Sequence, residues 1–331
     1  SVPEGGVFDG PLGVYAALEA VRAMQDAGVE PARPVAVVSF TEEEGGRFGN
    51  GLLGSSVATG EVDAADALEL TDADGETLGE ALERTGYHGD DEVDPAGWDA
   101  FYELHVEQDT TLEAADADAG VVTTITGITH CEATIVGEAN HAGATAMGDR
   151  TDALAAASEF VLDVEAAANR VVDDDSASAV GTVGSLSVSP NATNVVPGRV
   201  EAGVDVRDVD AESMERIVSA ARESLARVAR ERGVETSFRR PFDVAPTPMS
   251  DRLRAAAHDA ADDAGLTAID LHSGAAHDAM RVARVTDASL LFAPSRDGIS
   301  HNPREWTDWD DCAAATEVLA GALARAATDG R

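Results

Sequence analysis

The stretch Val35-Ala-Val-Val-Ser-Phe-Thr-Glu-Glu-Glu-Gly-Gly46 joins a short apolar run to three consecutive carboxylates. Its first half, Val35–Phe40, follows a proline and is rich in β-branched residues, which is typical of a buried strand. In open α/β sheets, ligands bind beyond the carboxyl ends of the strands. The three glutamates are therefore candidates for a binding site, although a solvated turn in so acidic a chain explains them equally well.

The segments on either side of this stretch predict an α/β layer fold. Residues 10–28 carry apolar side chains at helical spacing, and Tyr102–Val106 alternates between apolar and polar residues as a strand does. From about residue 121, strand-like segments and helical patterns indicate a smaller α+β domain inserted into the first. Pro241–Pro248 has the composition of the return linker. We therefore expect one domain from residues 1–120 and 242–331, and the inserted domain at 121–241.

Composition limits the classes of protein to which the chain can belong. It has 331 residues, of which 44% are hydrophobic, so it can bury a large core and is not a disordered acidic protein. Its 62 acidic residues outnumber 23 basic residues, all of them arginine, and the formal net charge is −39. Such a surface repels nucleic acid and is typical of a protein adapted to high salt.

Apolar run lengths and cysteine usage bear on location. The apolar runs are shorter than the ~20 residues that cross a bilayer, so we expect no membrane partner. The two cysteines, Cys131 and Cys312, are far apart and form no metal or redox motif. This usage favours a reducing cytoplasm.

Three residues outside the acidic stretch complete a set of metal ligands. Asp9 stands at the start of the first predicted helix, His105 in the alternating strand, and His301 in a loop after a predicted strand. Taken singly, each has an ordinary explanation: a helix cap, a surface histidine and a loop histidine. With a carboxylate of the acidic stretch they give Asp, Glu and two His at strand ends or helix starts. That is a ligand set for Zn²⁺ or a similar divalent ion.

Seven segments resemble the amidase, hydantoinase and carbamoylase branch of the M20 metallopeptidase superfamily. They run nearly from end to end of the chain in the family's order, which is specific for the branch but not for a substrate. The segments are SVPEGGVFDGPLGV (1–14), FTEEEGGRFGNGLLGS (40–55), ELHVEQ (103–108), GEANHAGATAMGDRTDAL (137–154), PNATNVVPGRVEAGVDVRD (190–208), SGAAHDAM (273–280) and FAPSRDGISHNPRE (292–305). The resemblance implies a hydrolase domain with a mixed sheet flanked by helices, interrupted by a domain that serves dimerisation and acts as a lid.

The resemblance also implies an amidohydrolase with two divalent metal ions, Zn²⁺ or else Mn²⁺, Co²⁺ or Ni²⁺. Asp9 would bridge the two ions, Glu44 and His301 would complete one site, and His105 would serve the other. Glu43 would be the general base that takes a proton from the attacking water.

Further residues match the family's substrate contacts. His141, in the inserted domain, would stabilise the oxyanion of the tetrahedral intermediate, reaching across the interface of a homodimer. Asn194 and Arg207 would hold the carboxylate of the substrate, and Gln108 and His277 would line its pocket. A turn histidine and a salt-bridged strand arginine are the structural alternatives for His141 and Arg207. The expected substrates are N-carbamoyl-L-amino acids, with allantoate and N-carbamoyl-β-alanine as close alternatives.

One ligand of the family's pattern is missing from this chain. In the family, a histidine in a G-S-H-x-D-S segment precedes the S-V-P-E-G-G that here begins at Ser1. The resemblance therefore implies that one metal site keeps Asp9, Glu44 and His301, while the other keeps Asp9 and His105. We expect the chain as given to be inactive or weakly active, and the complete protein to be an enzyme.

Two other functions fit part of the sequence. An M20 aminopeptidase or aminoacylase would share the metals, but the Asn140-His-Ala-Gly143 turn and the Asn194/Arg207 pair fit the carbamoylase branch better. A non-catalytic dimeric binding protein is the alternative from a different class. Such a protein has no need of a general base beside a metal ligand, so we favour hydrolysis of a linear C–N bond in a ureido acid.

We predict that the free energy of unfolding rises with salt. A net charge of −39 makes the folded surface repel itself, and raising KCl from about 0.1 M to about 1 M shortens the screening length from roughly 10 Å to roughly 3 Å. Thermal unfolding across this range should show a rising Tm. Lowering the pH toward the isoelectric point should weaken the effect, and a Tm that falls with KCl at neutral pH would refute it.

Overall fold

The computed structural model describes residues 2, 5–49, 51–89 and 93–328; Ser1, at which the family resemblance begins, lies outside them. The chain divides into two compact units, of which Thr126–Thr247 forms the second, and the segments before and after it form the first. These boundaries lie a few residues beyond the expected ones at 120 and 241. The reason is that a strand at Ala119–Ile125 belongs to the sheet of the first unit, and a strand at Glu235–Val244 belongs to that of the second.

Both units contain helices and strands. The helices of the described residues are α1 (Pro11–Asp26), α2 (Leu53–Ala58), α3 (Ala64–Leu68), α4 (Leu78–Thr85), α5 (Thr111–Ala115), α6 (Ala153–Asp174), α7 (Ala211–Arg232), α8 (Asp251–Ala264), α9 (Asp278–Val282) and α10 (Trp309–Thr328). The strands are β1 (Phe101–Val106), β2 (Ala119–Ile125), β3 (Gly127–Val136), β4 (Asn140–His141), β5 (Val180–Ser189), β6 (Val195–Val196), β7 (Arg199–Asp208), β8 (Glu235–Val244), β9 (Thr247–Pro248), β10 (Ala268–Ser273) and β11 (Ala288–Ala293). None of these helices is both long and apolar enough to cross a bilayer.

The first unit is built on a mixed sheet flanked by helices. Its strands lie in the order β1, β11, β2, β10. Strand β1 runs parallel to β11 and β2 runs parallel to β10, while β11 and β2 are antiparallel. Helices α1, α8 and α10 pack with the sheet around a core that includes Ala20, Val121 and Ala322. The predicted α/β class with a mixed sheet is confirmed.

Helix α1 begins two residues after Asp9 and brings that residue close to the sheet. Its buried side chains recur every four residues along one face, and Pro11 opens the first turn, where proline is favoured. Gly13 lets the helix approach β1, because a Cβ at this position would overlap the carbonyl oxygen of Leu104. Asp9 is thereby held next to the strand that carries His105.

The prediction of a buried strand at Val35–Phe40 is wrong. The segment joins no ladder with the described part of the chain, and both Ala36 and Val37 are exposed. It lines a cavity of about 810 Å³ together with residues of α1 and Phe101–His105 of β1. Among the described strands β1 pairs with β11 alone. The apolar run therefore faces an open groove instead of a neighbouring strand.

The second unit is an antiparallel sheet with two helices on one face. Its strands lie in the order β5, β7, β3, β8. Helices α6 and α7 pack against each other and cover the alternating apolar side chains of β3 and β7. The opposite face of these two strands carries polar side chains, among them His130, Glu132 and Asp205.

The return linker is shorter than predicted, because Pro241–Val244 belong to β8. The register of β8 against β3 shifts by one residue between His130 and Glu132, so that β8 bulges around Arg240 and Pro241. Strand β8 lies at the edge of the sheet, where a proline at a bulge is tolerated.

Candidate metal centre and catalytic site

Asp9 lies between two histidines, one on each side of its carboxylate. Oδ1 of Asp9 is 3.2 Å from Nε2 of His105, and Oδ2 is 3.1 Å from Nε2 of His301. One imidazole comes from β1 and the other from the loop after β11. Strands β1 and β11 are parallel neighbours in the sheet. A carboxylate that presents one oxygen to each of two ligand groups is suited to bridge two cations.

Glu44 completes a group of three on one side of Asp9. Oε1 of Glu44 is 2.8 Å from Nε2 of His301, and the ligand atoms of Asp9, Glu44 and His301 all lie within 4.8 Å of one another. The turn that carries Glu44 is closed by Glu42, whose carboxylate accepts hydrogen bonds from two backbone N–H groups of the same turn. Two carboxylates and one imidazole converge, which is a donor set that fits a divalent cation.

His105 serves the other side of Asp9. Its Nδ1 is 2.9 Å from the carbonyl oxygen of Val106, which assigns the N–H to Nδ1 and directs Nε2 toward Asp9. Burial alone would lower the pKa of His105, but the hydrogen bond and charge of Asp9 raise it to about 9. Burial would raise the pKa of Asp9, but its hydrogen bonds, above all with His105, hold it well below its usual range. A divalent cation can enter this ion pair by displacing the proton of His105.

Glu43 is a partly buried carboxylate beside this group. Burial, together with the negative charges of Glu44 and Asp278, raises the pKa of Glu43 to about 7. A bound cation would lower that pKa, because it would stabilise the carboxylate. Glu43 lines the same cavity as Asp9 and His105. A carboxylate that titrates near neutral pH can act as a general base.

Gln108 and Ser300 hold Oδ2 of Asp9. Nε2 of Gln108 donates to Oδ2 of Asp9 at 3.2 Å and to Oγ of Ser300 at 2.9 Å. Oγ of Ser300 is itself 2.8 Å from the same Oδ2. Gln108 adopts a φ of 61°, a conformation uncommon for residues other than glycine. The side chain predicted to line a substrate pocket thus contacts the candidate metal ligand directly.

His277 is buried against His105, with the two ring centroids 4.7 Å apart. Nε2 of His277 is 3.0 Å from Oγ of Ser273, and only 2% of the residue is exposed. Burial and the positive charge of His105 lower the pKa of His277 well below its usual value, so the ring is neutral. His277, predicted as a pocket residue, therefore packs behind a candidate ligand in this structure.

Three carboxylates around the site, of which Asp278 and Glu305 are buried, were not singled out from the sequence. Burial and the charge of Asp278 raise the pKa of Glu103 to about 8. Oδ1 of Asp278 accepts a hydrogen bond from Oγ of Ser55 at 2.5 Å. Oε1 of Glu305 accepts the backbone N–H of Asp9. In a chain with 62 acidic residues a carboxylate carries no signal of its own. The available signal was that all three lie inside segments that resemble the family.

In the second unit, His141 belongs to a short ladder and Asn194 directly precedes its second strand. Strand β4 pairs His141 with Val195 of β6, and the carbonyl oxygen of Asn194 accepts the N–H of Ala142 at 2.9 Å. The side chain of His141 is exposed, and its Nδ1 accepts the N–H of Gly143 at 3.0 Å. Because Nδ1 is an acceptor, the neutral ring carries its proton on Nε2, which is then a hydrogen-bond donor.

Arg207, on β7, is paired with Asp205. Nε and Nη2 of Arg207 donate to Oδ1 and Oδ2 of Asp205 at 2.9 and 3.2 Å. Oδ2 of Asp205 is also 3.0 Å from Nε2 of His130. A substrate carboxylate bound by Arg207 would share the guanidinium with Asp205.

Residues 1–325 match the model of one protein family, Peptidase family M20/M25/M40. The chain belongs to this family. Its membership confirms the resemblance that the seven sequence segments indicated, and the metal-dependence typical of M20 enzymes agrees with the donor set around Asp9.

Two curated relatives of this M20 chain are amidohydrolases. The N-carbamoyl-L-amino acid amidohydrolase of Geobacillus stearothermophilus is 40% identical over 323 residues, which cover 96% of this chain and 78% of the relative. The allantoate amidohydrolase of Bacillus subtilis (strain 168) is 34% identical over 310 residues, which cover 93% of this chain and 74% of the relative. These relatives confirm the predicted enzyme class, an amidohydrolase.

A solved structure shows the same fold. An amidase of the hydantoinase/carbamoylase family from Burkholderia multivorans matches with a TM-score of 0.89 at 38% sequence identity, and the match covers 99% of this chain and 79% of that chain. The mixed sheet with its flanking helices is therefore the fold of this amidase branch.

We expect metal binding on the His105 side of Asp9 to release a proton. His105 is protonated below a pKa of about 9, so a bound Zn²⁺ must displace that proton at neutral pH. The apparent affinity should therefore fall as the pH falls. Isothermal titration calorimetry in two buffers of different ionisation enthalpy measures the number of protons released.

The matched control is His258→Ala. His258 also lies beside a carboxylate, with Nε2 2.9 Å from Oδ1 of Asp270 on the surface of the first unit. We expect His105→Ala to reduce the number of released protons and His258→Ala to leave it unchanged. Equal proton release by wild type and His105→Ala would contradict the assignment.

Proposed function

We propose that the protein is a metal-dependent amidohydrolase that cleaves a linear C–N bond of an N-carbamoyl amino acid or a related ureido acid. The observation that carries this proposal is the carboxylate of Asp9, whose two oxygens face His105 and His301 separately. The relatives named for N-carbamoyl-L-amino acids and for allantoate support the substrate class. Among ureido acids, N-carbamoyl-L-amino acids are the first choice.

The residues around Asp9 fit two divalent ions. Asp9, Glu44 and His301 would hold one ion, and Asp9 and His105 would contribute to the other. When bound, such ions polarise the carbonyl group of the substrate and lower the pKa of water. Zn²⁺, Mn²⁺, Co²⁺ and Ni²⁺ all accept imidazole and carboxylate ligands, so the donor set alone does not select among them.

Glu43 is the proposed general base. It lines the same cavity as Asp9 and His105, and partial burial with the charges of Glu44 and Asp278 raises its pKa toward neutral, which favours proton acceptance. Glu43 would take a proton from water as the water oxygen attacks the ureido carbonyl carbon. The same proton would then pass to the nitrogen that leaves when the C–N bond breaks.

Residues of the second unit are proposed to hold the substrate. The Nε2–H of His141 is suited to stabilise the oxyanion that forms on the carbonyl. Arg207 and Asn194 would bind the substrate carboxylate, and Asp205 would keep the guanidinium of Arg207 in a fixed orientation. In this role the second unit would serve as a lid.

We also propose a homodimer formed through β5 and α6 of the second unit. Strand β5 lies at the edge of its sheet, and its Val180 and Leu186 are 48% and 43% exposed. Helix α6 packs against β5 and exposes 62% of Leu162. An unpaired strand edge beside exposed apolar side chains is a surface that a second copy can cover.

Sedimentation in molar KCl tests the dimer. We expect a dimer for the wild type and a monomer for Leu162→Glu, because a carboxylate would then be buried in the interface. Tyr87→Glu is the matched control, since Tyr87 is 82% exposed but belongs to the first unit; it should remain a dimer. A monomeric wild type would overturn the proposal.

The setting proposed for this enzyme is a salt-rich cytoplasm. The net charge of −39 supports work at high ionic strength. Both cysteines, Cys131 and Cys312, are buried free thiols, which agrees with a reducing compartment.

Glu43→Gln tests the catalytic role most sharply. We expect ammonia release from N-carbamoyl-L-amino acids to fall roughly 10²- to 10⁴-fold, because glutamine cannot accept the proton. Calorimetry should show metal binding nearly unchanged. The assay is run with Mn²⁺, Zn²⁺ or Co²⁺ and a chelator control.

Glu42→Gln is the matched control in the same turn. Glu42 accepts backbone N–H groups, and a glutamine oxygen can accept them as well, so activity should stay close to wild type. Normal turnover by Glu43→Gln would remove Glu43 from the mechanism. No release from any N-carbamoyl amino acid or allantoate, with metal bound, would favour an aminopeptidase or aminoacylase.

A further inference from the structure

Glu305 is a buried carboxylate that the proposed mechanism does not use. The residue is 3% exposed. Its Oε1 accepts the backbone N–H of Phe8 at 2.8 Å and that of Asp9 at 3.0 Å, and its Oε2 is 3.2 Å from Oγ of Ser300. Burying a charge is unfavourable unless hydrogen bonds compensate it. Two backbone N–H donors, with the hydroxyl of Ser300 within hydrogen-bond distance, therefore mark a specific arrangement.

These hydrogen bonds join two distant segments of the site. Glu305 and Asp9 are 296 positions apart in the sequence, and Ser300 directly precedes His301. The side chain of Glu305 thus binds the backbone of Asp9 and also contacts Ser300, the neighbour of His301. Ser300 extends the connection, because its Oγ is 2.8 Å from Oδ2 of Asp9.

The loop before α1 is shaped around Glu305. A Cβ at Gly6 would overlap the side chain of Glu305, so the glycine makes room for the carboxylate. Phe8 is buried and packs edge-on against Trp306, the neighbour of Glu305, with ring centroids 5.4 Å apart. The backbone that leads into Asp9 is therefore fixed from two sides.

We propose that Glu305 is a positioning residue that fixes the carboxylate of Asp9 between His105 and His301 and thereby sets the affinity of the site for divalent ions. This inference rests on the proposed function, in which Asp9 is a metal ligand. Groups that hold a ligand from behind typically change metal affinity by roughly 10- to 100-fold when they are removed.

Glu305→Gln separates hydrogen bonding from charge. An amide oxygen can accept both backbone N–H groups, and the amide nitrogen can donate to Oγ of Ser300. Ser300 has a single hydroxyl proton, which would then be available to Asp9 alone. We therefore expect Glu305→Gln to bind Co²⁺ about as tightly as wild type, and Glu305→Ala to lose roughly 10- to 100-fold in affinity.

The experiment titrates Co²⁺ into the metal-free full chain and follows calorimetric heat and the visible spectrum of the ion. Asp208→Ala is the matched control. Asp208 is fully buried in the second unit, and its Oδ1 accepts the N–H of Val209 and the hydroxyls of Ser176 and Ser178 at 2.7, 2.8 and 2.7 Å. Its loss should lower the unfolding temperature and leave Co²⁺ affinity unchanged.

The outcomes distinguish this inference from the proposed function. Wild-type Co²⁺ affinity in Glu305→Ala, or an equal loss in Asp208→Ala, overturns the positioning role alone. A wild-type chain that binds no Co²⁺ overturns the metal site and this inference with it. If Glu305→Ala does not fold, Glu305→Asp, which withdraws the carboxylate by one methylene, should show the weakened binding; unchanged binding there counts against the proposal.

Discussion

The rest of the first unit depends on one constraint: each oxygen of the Asp9 carboxylate must face a different imidazole. The two oxygens of Asp9 lie 3.2 and 3.1 Å from His105 and His301. This arrangement requires that β1 and β11 be parallel neighbours and that α1 begin at the same edge of the sheet. The small residue Gly13, which allows α1 to approach β1, serves that geometry.

The electrostatics of the site follow from where positive charge is available. Hydrogen bonds with His105 keep Asp9 ionised, and its pKa is well below the usual range. Glu43 and Glu103 line the same cavity, and partial burial with neighbouring carboxylates raises their pKa values to about 7 and about 8. An excess of buried carboxylates over cations favours the entry of a divalent ion. Groups whose pKa values are pushed apart in this way commonly divide ligand and base roles.

The sequence pattern predicted those elements whose formation depends on neighbouring residues in the chain. Apolar periodicity placed the strand that carries His105 and the helix that follows Asp9, because each element buries one face. Val35–Phe40 did not form a strand, since a strand needs a neighbour that composition cannot specify. The return linker was predicted to begin at Pro241, but this residue lies in β8, because a bulge in an edge strand tolerates proline. The bonds of Glu305 join residues 296 positions apart, so no window of the sequence reveals them.

The sharing of Asp9 by two cations is tested most directly by anomalous diffraction. Crystals of the protein soaked in Zn²⁺ would be measured on both sides of the zinc absorption edge. We predict one anomalous peak between Asp9 and His105 and a second among Asp9, Glu44 and His301. Zn²⁺ bound elsewhere, with neither oxygen of Asp9 in contact with an ion, would contradict the proposed site.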